Sequence, residues 1–161
     1  MNNERMEGET LLQLSRRRLD YLQTHMPDTI STMIQLEMVS ADEEKNEYVI
    51  KGHPQPWMTN FHGTLHGGIC ATFVDQAMGH MAFCLKPAPG ITPTVDMNIK
   101  YHRPLLCQGE IMIYIQLVSR TKNLMHMSCR VYRAEAPEKV CITAEATYFY
   151  KPAICQAKEE H

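Results

Sequence analysis

The residues best suited to chemistry lie in one stretch, Asn60-Phe61-His62-Gly63-Thr64-Leu65-His66-Gly67-Gly68, followed by Asp75. A glycine-rich turn here leads into the most apolar helical run of the chain. The first N–H groups of a helix lack backbone partners, and the helix dipole lies behind them. They suit an anion or a developing oxyanion, and such preorganised donors carry much of acyl-transfer catalysis. Gly67 places no side chain between its N–H and an approaching carbonyl. Asp75 follows eight residues later with Phe73, Val74, Ala77 and Met78 for neighbours. A carboxylate in apolar surroundings is either at a surface or at work. At work, it serves as a general base on water or as a direct nucleophile. At about 1.5 Å per residue, Gly67 and Asp75 are about 12 Å apart along the helix. One carbonyl cannot touch both, so if both act, Asp75 comes from a second subunit and the site lies at a symmetric dimer interface.

These residues require elements to hold them. Leu65 to Leu85 has no internal proline and reads as the main helix, closed by Pro87-Ala88-Pro89-Gly90. Residues 9 to 25 carry leucines at helical spacing and end before Pro27. Ser31 to Ser40 and Glu47 to Lys51 read as a strand hairpin, and His53-Pro54-Gln55-Pro56 as a loop. After Gly90 the period becomes two. Val95, Met97, Ile99 and Tyr101 mark one strand, and Ile111, Ile113, Ile115 and Leu117 a second. Met125 to Val131 and Val140 to Tyr148 give a third and a fourth. Short turns imply antiparallel pairing, and the long apolar helix must cover one sheet face. The expectation is an α+β domain: a curved antiparallel β-sheet wrapped around a long central α-helix. Residues 1–28 form an N-terminal helical segment, 29–152 the domain, and 153–161 a loose polar tail. Its edge strands invite a partner.

Composition narrows the function classes. The 161 residues carry 16 Lys and Arg against 18 Asp and Glu, a net charge of −2 that argues against nucleic acid as partner. No apolar run approaches the roughly 18 residues of a membrane span. Arg16-Arg17-Arg18 reads as a solvated helix face. The N-terminus shows no secretory signal, and the six cysteines show no Cys-x-x-Cys pair. Reduced thiols and a cytoplasmic location are expected. His62 and His66 are four apart but precede the helix and lack a third ligand, so no metal is expected.

The run Asn-x-x-Gly-Thr-Leu-His-Gly-Gly, the helical Asp75, and Thr94-Val95-Asp96-Met97-Asn98-Ile99-Lys100-Tyr101 resemble the hot-dog-fold acyl-CoA thioesterases. The likeness is strongest to the phenylacetate-pathway (PaaI-like) and thioesterase superfamily member 2-like branch, and covers roughly residues 30 to 150. It implies a hot-dog fold, homodimers formed through the sheets and dimers of dimers. It also implies hydrolysis of acyl-CoA to free acid and coenzyme A, with no cofactor beyond the coenzyme A of the substrate. On this resemblance Gly67 supplies the oxyanion-hole N–H, Asn60 helps bind the thioester carbonyl, and His66 orients the thioester. Asp75 activates water or attacks the carbonyl carbon. Thr94, where the mammalian branch holds Ser, helps place the water. The structural alternatives are a capping His66, a turn-forming Asn60 and an ordinary strand Thr94. Gly68 and Met78 are further substrate-binding candidates, with Met81, Met97 and Tyr101 as possible acyl lining. Lys100, Arg103, Arg120 and Lys122 are candidates for the coenzyme A phosphates. Two rival functions share the fold: an acyl-CoA-binding protein without turnover, and a hydratase or dehydratase of acyl thioesters.

Overall fold

The computed structural model describes residues 4–153. Of the polar tail expected at residues 153–161, residues 154–161 lie outside the described residues. Helix α1 (Leu11–His25) starts at Thr10, whose side chain accepts from the Gln13 N–H while Gln13 reaches back in a capping box. It buries Leu11, Leu14, Ser15 and Leu19. These leucines join the core cluster of the rest of the chain, so the N-terminal segment is packed into the domain rather than appended to it.

The first expected strand begins late. Residues Ile30–Met33 form a short helix, α2, and strand β1 covers Leu36–Asp42. Thr29 and Thr32 bond to each other and to the Met26 carbonyl, which turns the chain there instead of extending it. Strand β2 (Glu47–Gly52) pairs antiparallel with β1, as the hairpin reading expected. Helix α3 (Gly67–Leu85) follows, two residues shorter at its start than the apolar run suggested. It buries residues on most of its circumference, including Phe73, Val74, Ala77, Met81 and Cys84. A helix apolar all round belongs at the centre of a fold.

The remaining strands are β3 (Gly90–Ile91), β4 (Thr94–Tyr101), β5 (Ile111–Arg120), β6 (Leu124–Arg133), β7 (Ile142–Phe149) and β8 (Lys151–Pro152). The main sheet has the order β1-β2-β5-β6-β7-β4, and β3 pairs with β8 in a small clasp. Alternation holds along β2, β5, β6 and β7: Tyr48, Ile50, Ile113, Met127, Ala144 and Tyr148 all face the helix and are buried. Strand β4 does not pair with β5, its successor. It crosses to the far edge and pairs with β7, in a register that sets Thr94 opposite Tyr148. Its outer side has no neighbour among the described residues, and Val95 and Tyr101 are exposed there.

Candidate active site

The start of α3 is built by the preceding loop. His66 is the N-cap, and its Nδ1 accepts from the Gly68 N–H at 3.1 Å. Asn60 Oδ1 accepts from the N–H groups of His62 and Thr64, and Asn60 Nδ2 donates to Thr64 Oγ1 at 2.9 Å. Both residues therefore use their polar atoms on the chain itself, one as a cap and one as an Asx turn. They act here by shaping the turn that presents Gly67. The Gly67 N–H has no acceptor among the described residues, as expected at the first position of a helix. Gly67 lines a cavity of about 270 Å³ together with Tyr101 and Arg103. A Cβ on Gly67 would come no closer than 3.8 Å to the Tyr101 ring, so nothing in the chain's own packing requires glycine.

Asp75 lies two turns further along, half-buried, in a second cavity of about 420 Å³ that Thr94 also lines. Thr94 Oγ1 donates to Asp75 Oδ1 at 2.8 Å. Tyr148 OH approaches the same oxygen at 3.4 Å and the Asp75 carbonyl at 3.5 Å. The Tyr148 ring lies beneath α3 at Gly79, where a Cβ would meet it at 3.4 Å, an ordinary packing distance. Burial first, and the neighbouring Asp75 second, push the Tyr148 hydroxyl far above the usual tyrosine range. It keeps its proton and can only offer it to the carboxylate. Asp75 Oδ2 has no donor among the described residues, so one carboxylate oxygen is held and the other is open.

Gly67 and Asp75 thus belong to separate cavities at different heights on one helix, and a single chain does not bring them together. Thr94 is more than an ordinary strand residue, since it touches Asp75. Two tyrosines were missed. Tyr148 sits at an inward position of the last long strand, a place that reads as core. Tyr101, considered only as acyl lining, donates its hydroxyl to the Gly67 carbonyl at 2.8 Å and ties β4 to the first turn of α3.

Several substrate-binding candidates fall elsewhere. Met78 and Met81 are fully buried in the core and offer no surface to a ligand. Gly68 is exposed beside Gly67, as a binding role requires. The four basic candidates do not gather. Arg103 lines the Gly67 cavity, with its Nη1 donating to the Val140 carbonyl at 2.7 Å. Lys100 lies on the outer sheet face beside Tyr114 and Arg130. Arg120 lines a cavity near Arg5 and Lys86, and Lys122 is exposed in the β5–β6 turn. Strand alternation sends Lys100 away from the helix, and the turn carries Lys122 past the sheet.

Of the arginine run, Arg16 is exposed as a solvated face requires, whereas Arg17 and Arg18 are partly buried. Arg16 donates to the Met38 carbonyl, Arg17 pairs with Glu9 at 2.8 Å, and Arg18 stacks on Phe83. Arg18 lines the cavity that holds Asp75, which the sequence reading did not anticipate. The signal was its spacing: it lies four residues after Leu14 and four before Leu22, on the apolar stripe of α1.

The family model of the thioesterase superfamily matches residues 62–148, which include Gly67, Asp75 and Thr94. Acyl-coenzyme A thioesterase 13 of Mus musculus is 39% identical over 92 residues, covering 56% of this chain and 63% of that protein. The Homo sapiens protein of the same name is 39% identical over 71 residues, covering 44% of this chain and 49% of that protein. The match thus spans less than two thirds of these relatives' own lengths. Thioesterase superfamily member 2 from Mus musculus superposes with a TM-score of 0.70 at 24% identity, over 87% of this chain and 97% of that one. A Streptococcus mutans protein bound to acetyl CoA superposes with a TM-score of 0.63 at 19% identity, over 73% and 89%. The helix wrapped by a curved antiparallel sheet is the hot-dog fold these structures share.

Proposed function

Because the chain belongs to the thioesterase superfamily, we propose that it hydrolyses acyl-CoA esters to the free carboxylic acid and coenzyme A. The observation that carries this reading is the 2.8 Å hydrogen bond from Thr94 to Asp75, which fixes one oxygen of a carboxylate that lines a cavity and leaves the other without a donor among the described residues. A carboxylate so held is a general base for one water molecule. Asp75 Oδ2 takes the proton as the water oxygen bonds to the thioester carbon. The carbonyl oxygen becomes an oxyanion, which the unpartnered Gly67 N–H can receive at a helix N-terminus. Collapse of this intermediate breaks the carbon–sulfur bond, and the proton held by Asp75 passes to the departing thiolate. Direct attack by Asp75 would give a mixed anhydride that water then cleaves, with the same products.

The two halves of this machinery lie in different cavities, which favours a homodimer in which Gly67 of one protomer faces Asp75 of the other. The uncovered β4 edge is a surface through which such protomers can join. A further pairing of dimers would follow the resemblance noted above. No described helix is long and apolar enough to cross a membrane, and Cys70, Cys84, Cys107, Cys129 and Cys141 are free thiols, which accords with a reducing, cytoplasmic setting. Arg103, beside Gly67, is the basic residue best placed to meet a coenzyme A phosphate.

The test is coenzyme A release from a panel of acyl-CoA esters by the wild type and Asp75→Asn. Loss of a positioned base should lower kcat about a hundredfold or more with binding retained. Esters bound by the wild type without coenzyme A release would instead identify a binding protein.

A further inference from the structure

Helix α1 delivers a cation into the cavity that Asp75 and Thr94 line. The Arg18 guanidinium lies 3.4 Å from the centroid of the Phe83 ring. Its Nη1 is 3.4 Å from His80 Nδ1. Arginine only donates, so Nδ1 is the acceptor and the ring proton of the neutral imidazole sits on Nε2, directed at Ser15 Oγ 2.8 Å away. Burial, reinforced by the Arg18 charge, holds His80 down at about 3, so the ring stays neutral at ordinary pH. The series Arg18–His80–Ser15 therefore fixes the guanidinium between α1 and α3.

That guanidinium lacks a counter-charge. Among the described residues no carboxylate pairs with it or acts on its charge, and burial works against that charge. It has five N–H donors, of which His80 and the Cys84 sulfur engage only part. The wall of the cavity is mixed: Leu19, Leu22, Ile91 and Pro93 are its apolar part, and Ser31, Gln76 and Thr92 add polar side chains. A half-buried cation with spare donors is costly unless an anion meets it. A cavity with apolar stretches of wall and a few placed polar groups, here Arg18 and Asp75, is also how a small ligand is oriented. Arg18 meets α3 at His80 and Phe83, five and eight residues beyond Asp75, which is roughly 8–12 Å along the helix. An acyl group whose thioester carbon lies at Asp75 can run along this groove to Arg18.

We propose that Arg18 reads the far end of the acyl group, and that the groove takes medium-length acyl-CoA esters ending in a carboxylate. This rests on the thioesterase reading for the position of the thioester. Adipyl-CoA and hexanoyl-CoA have equal numbers of acyl carbons and differ only in that terminal carboxylate. The wild type should show the higher kcat/KM for adipyl-CoA. Arg18→Gln should lower that value about ten- to a hundredfold while leaving hexanoyl-CoA within about twofold. Arg18→Lys should restore part of the loss, and unchanged hexanoyl-CoA turnover reports intact folding. Equal falls for both esters, or a wild-type preference for hexanoyl-CoA, would overturn the proposal and make Arg18 a structural residue. If the wild type cleaves neither ester, calorimetric binding decides. Tighter binding of adipyl-CoA that is lost in Arg18→Gln supports the Arg18 site while the hydrolase reading fails, and equal binding of the two esters overturns the Arg18 site.

Discussion

Asp75 and His80 lie on the same helix, five residues apart, in different surroundings. Asp75 is half-buried and receives hydroxyl donors from β4 and β7. His80 is buried against Ser15 and Arg18 of α1 and Cys84 of its own helix, and the charge that acts on it, that of Arg18, is a cation's. Its ring is neutral in the folded chain down to about pH 3, whereas the ordinary value is 6.5. Above that value folded and unfolded chains both hold it neutral, and no stability depends on it. Below it the unfolded chain binds a proton that the folded chain refuses, so stability falls as pH falls. The slope approaches about 1.4 kcal/mol per pH unit for one proton. Glu9, held down at about 2 chiefly by Arg17, contributes only below its ordinary value of 4.5. The interval between pH 6.5 and 4.5 therefore isolates His80 from Glu9. Denaturant unfolding across that interval should show the wild type losing stability and His80→Gln losing markedly less. Parallel curves for the two proteins would mean that the ring is charged in the folded state.

At the scale of elements, α3 presses closely on the sheet at Gly52. Gly52 ends β2 on its inner face, and a Cβ there would come within 2.8 Å of the Phe73 ring and 2.9 Å of Ile111 Cγ1. Neither neighbour is a free chain end, since Phe73 and Ile111 are both almost wholly buried. Gly52→Ala should therefore cost about 1–3 kcal/mol in urea unfolding with an unchanged slope, the range for overpacking a filled core. An unaltered midpoint would show that the helix can move off the sheet at little cost. This contact was not legible in the sequence, because a glycine at a strand end looks like any turn. Periodicity made β2, β5, β6 and β7 legible, since each has one buried face. It failed at Ile30–Met33, where Ile30, Thr32 and Met33 look strand-like but two threonine side chains close a turn. It also gave no hint of where β4 goes. The alternation of Val95, Met97, Ile99 and Tyr101 is as regular as that of the central strands, although this strand ends at the sheet edge with Val95 61% exposed. For the site, residue types and the glycine turn singled out Gly67 and Asp75. The partners Tyr148 and Tyr101 come from strands far away in sequence, and only the β4–β7 register brings Tyr148 to Thr94.

For the whole molecule, the separation of Gly67 from Asp75 makes a prediction about assembly. His66, which precedes Gly67, has φ −63° and ψ 137°, the extended conformation that a following proline favours. Proline is also accepted at the first position of a helix. Gly67→Pro therefore deletes the N–H that would receive the oxyanion, while the helix start is kept. Each of Gly67→Pro and Asp75→Asn alone disables both sites of a symmetric dimer. When the two variants are unfolded together and refolded in equal amounts, about half of the dimers are mixed. If each site takes Gly67 from one protomer and Asp75 from the other, a mixed dimer has one site with both groups intact and one with neither. The mixture should then regain about one quarter of wild-type activity, although each parent alone is inactive. If a site took both groups from one chain, every site in every dimer would carry one lesion, and mixing would restore nothing. Coenzyme A release measured before and after co-refolding separates the two arrangements, and the regained fraction reports how freely the protomers exchange.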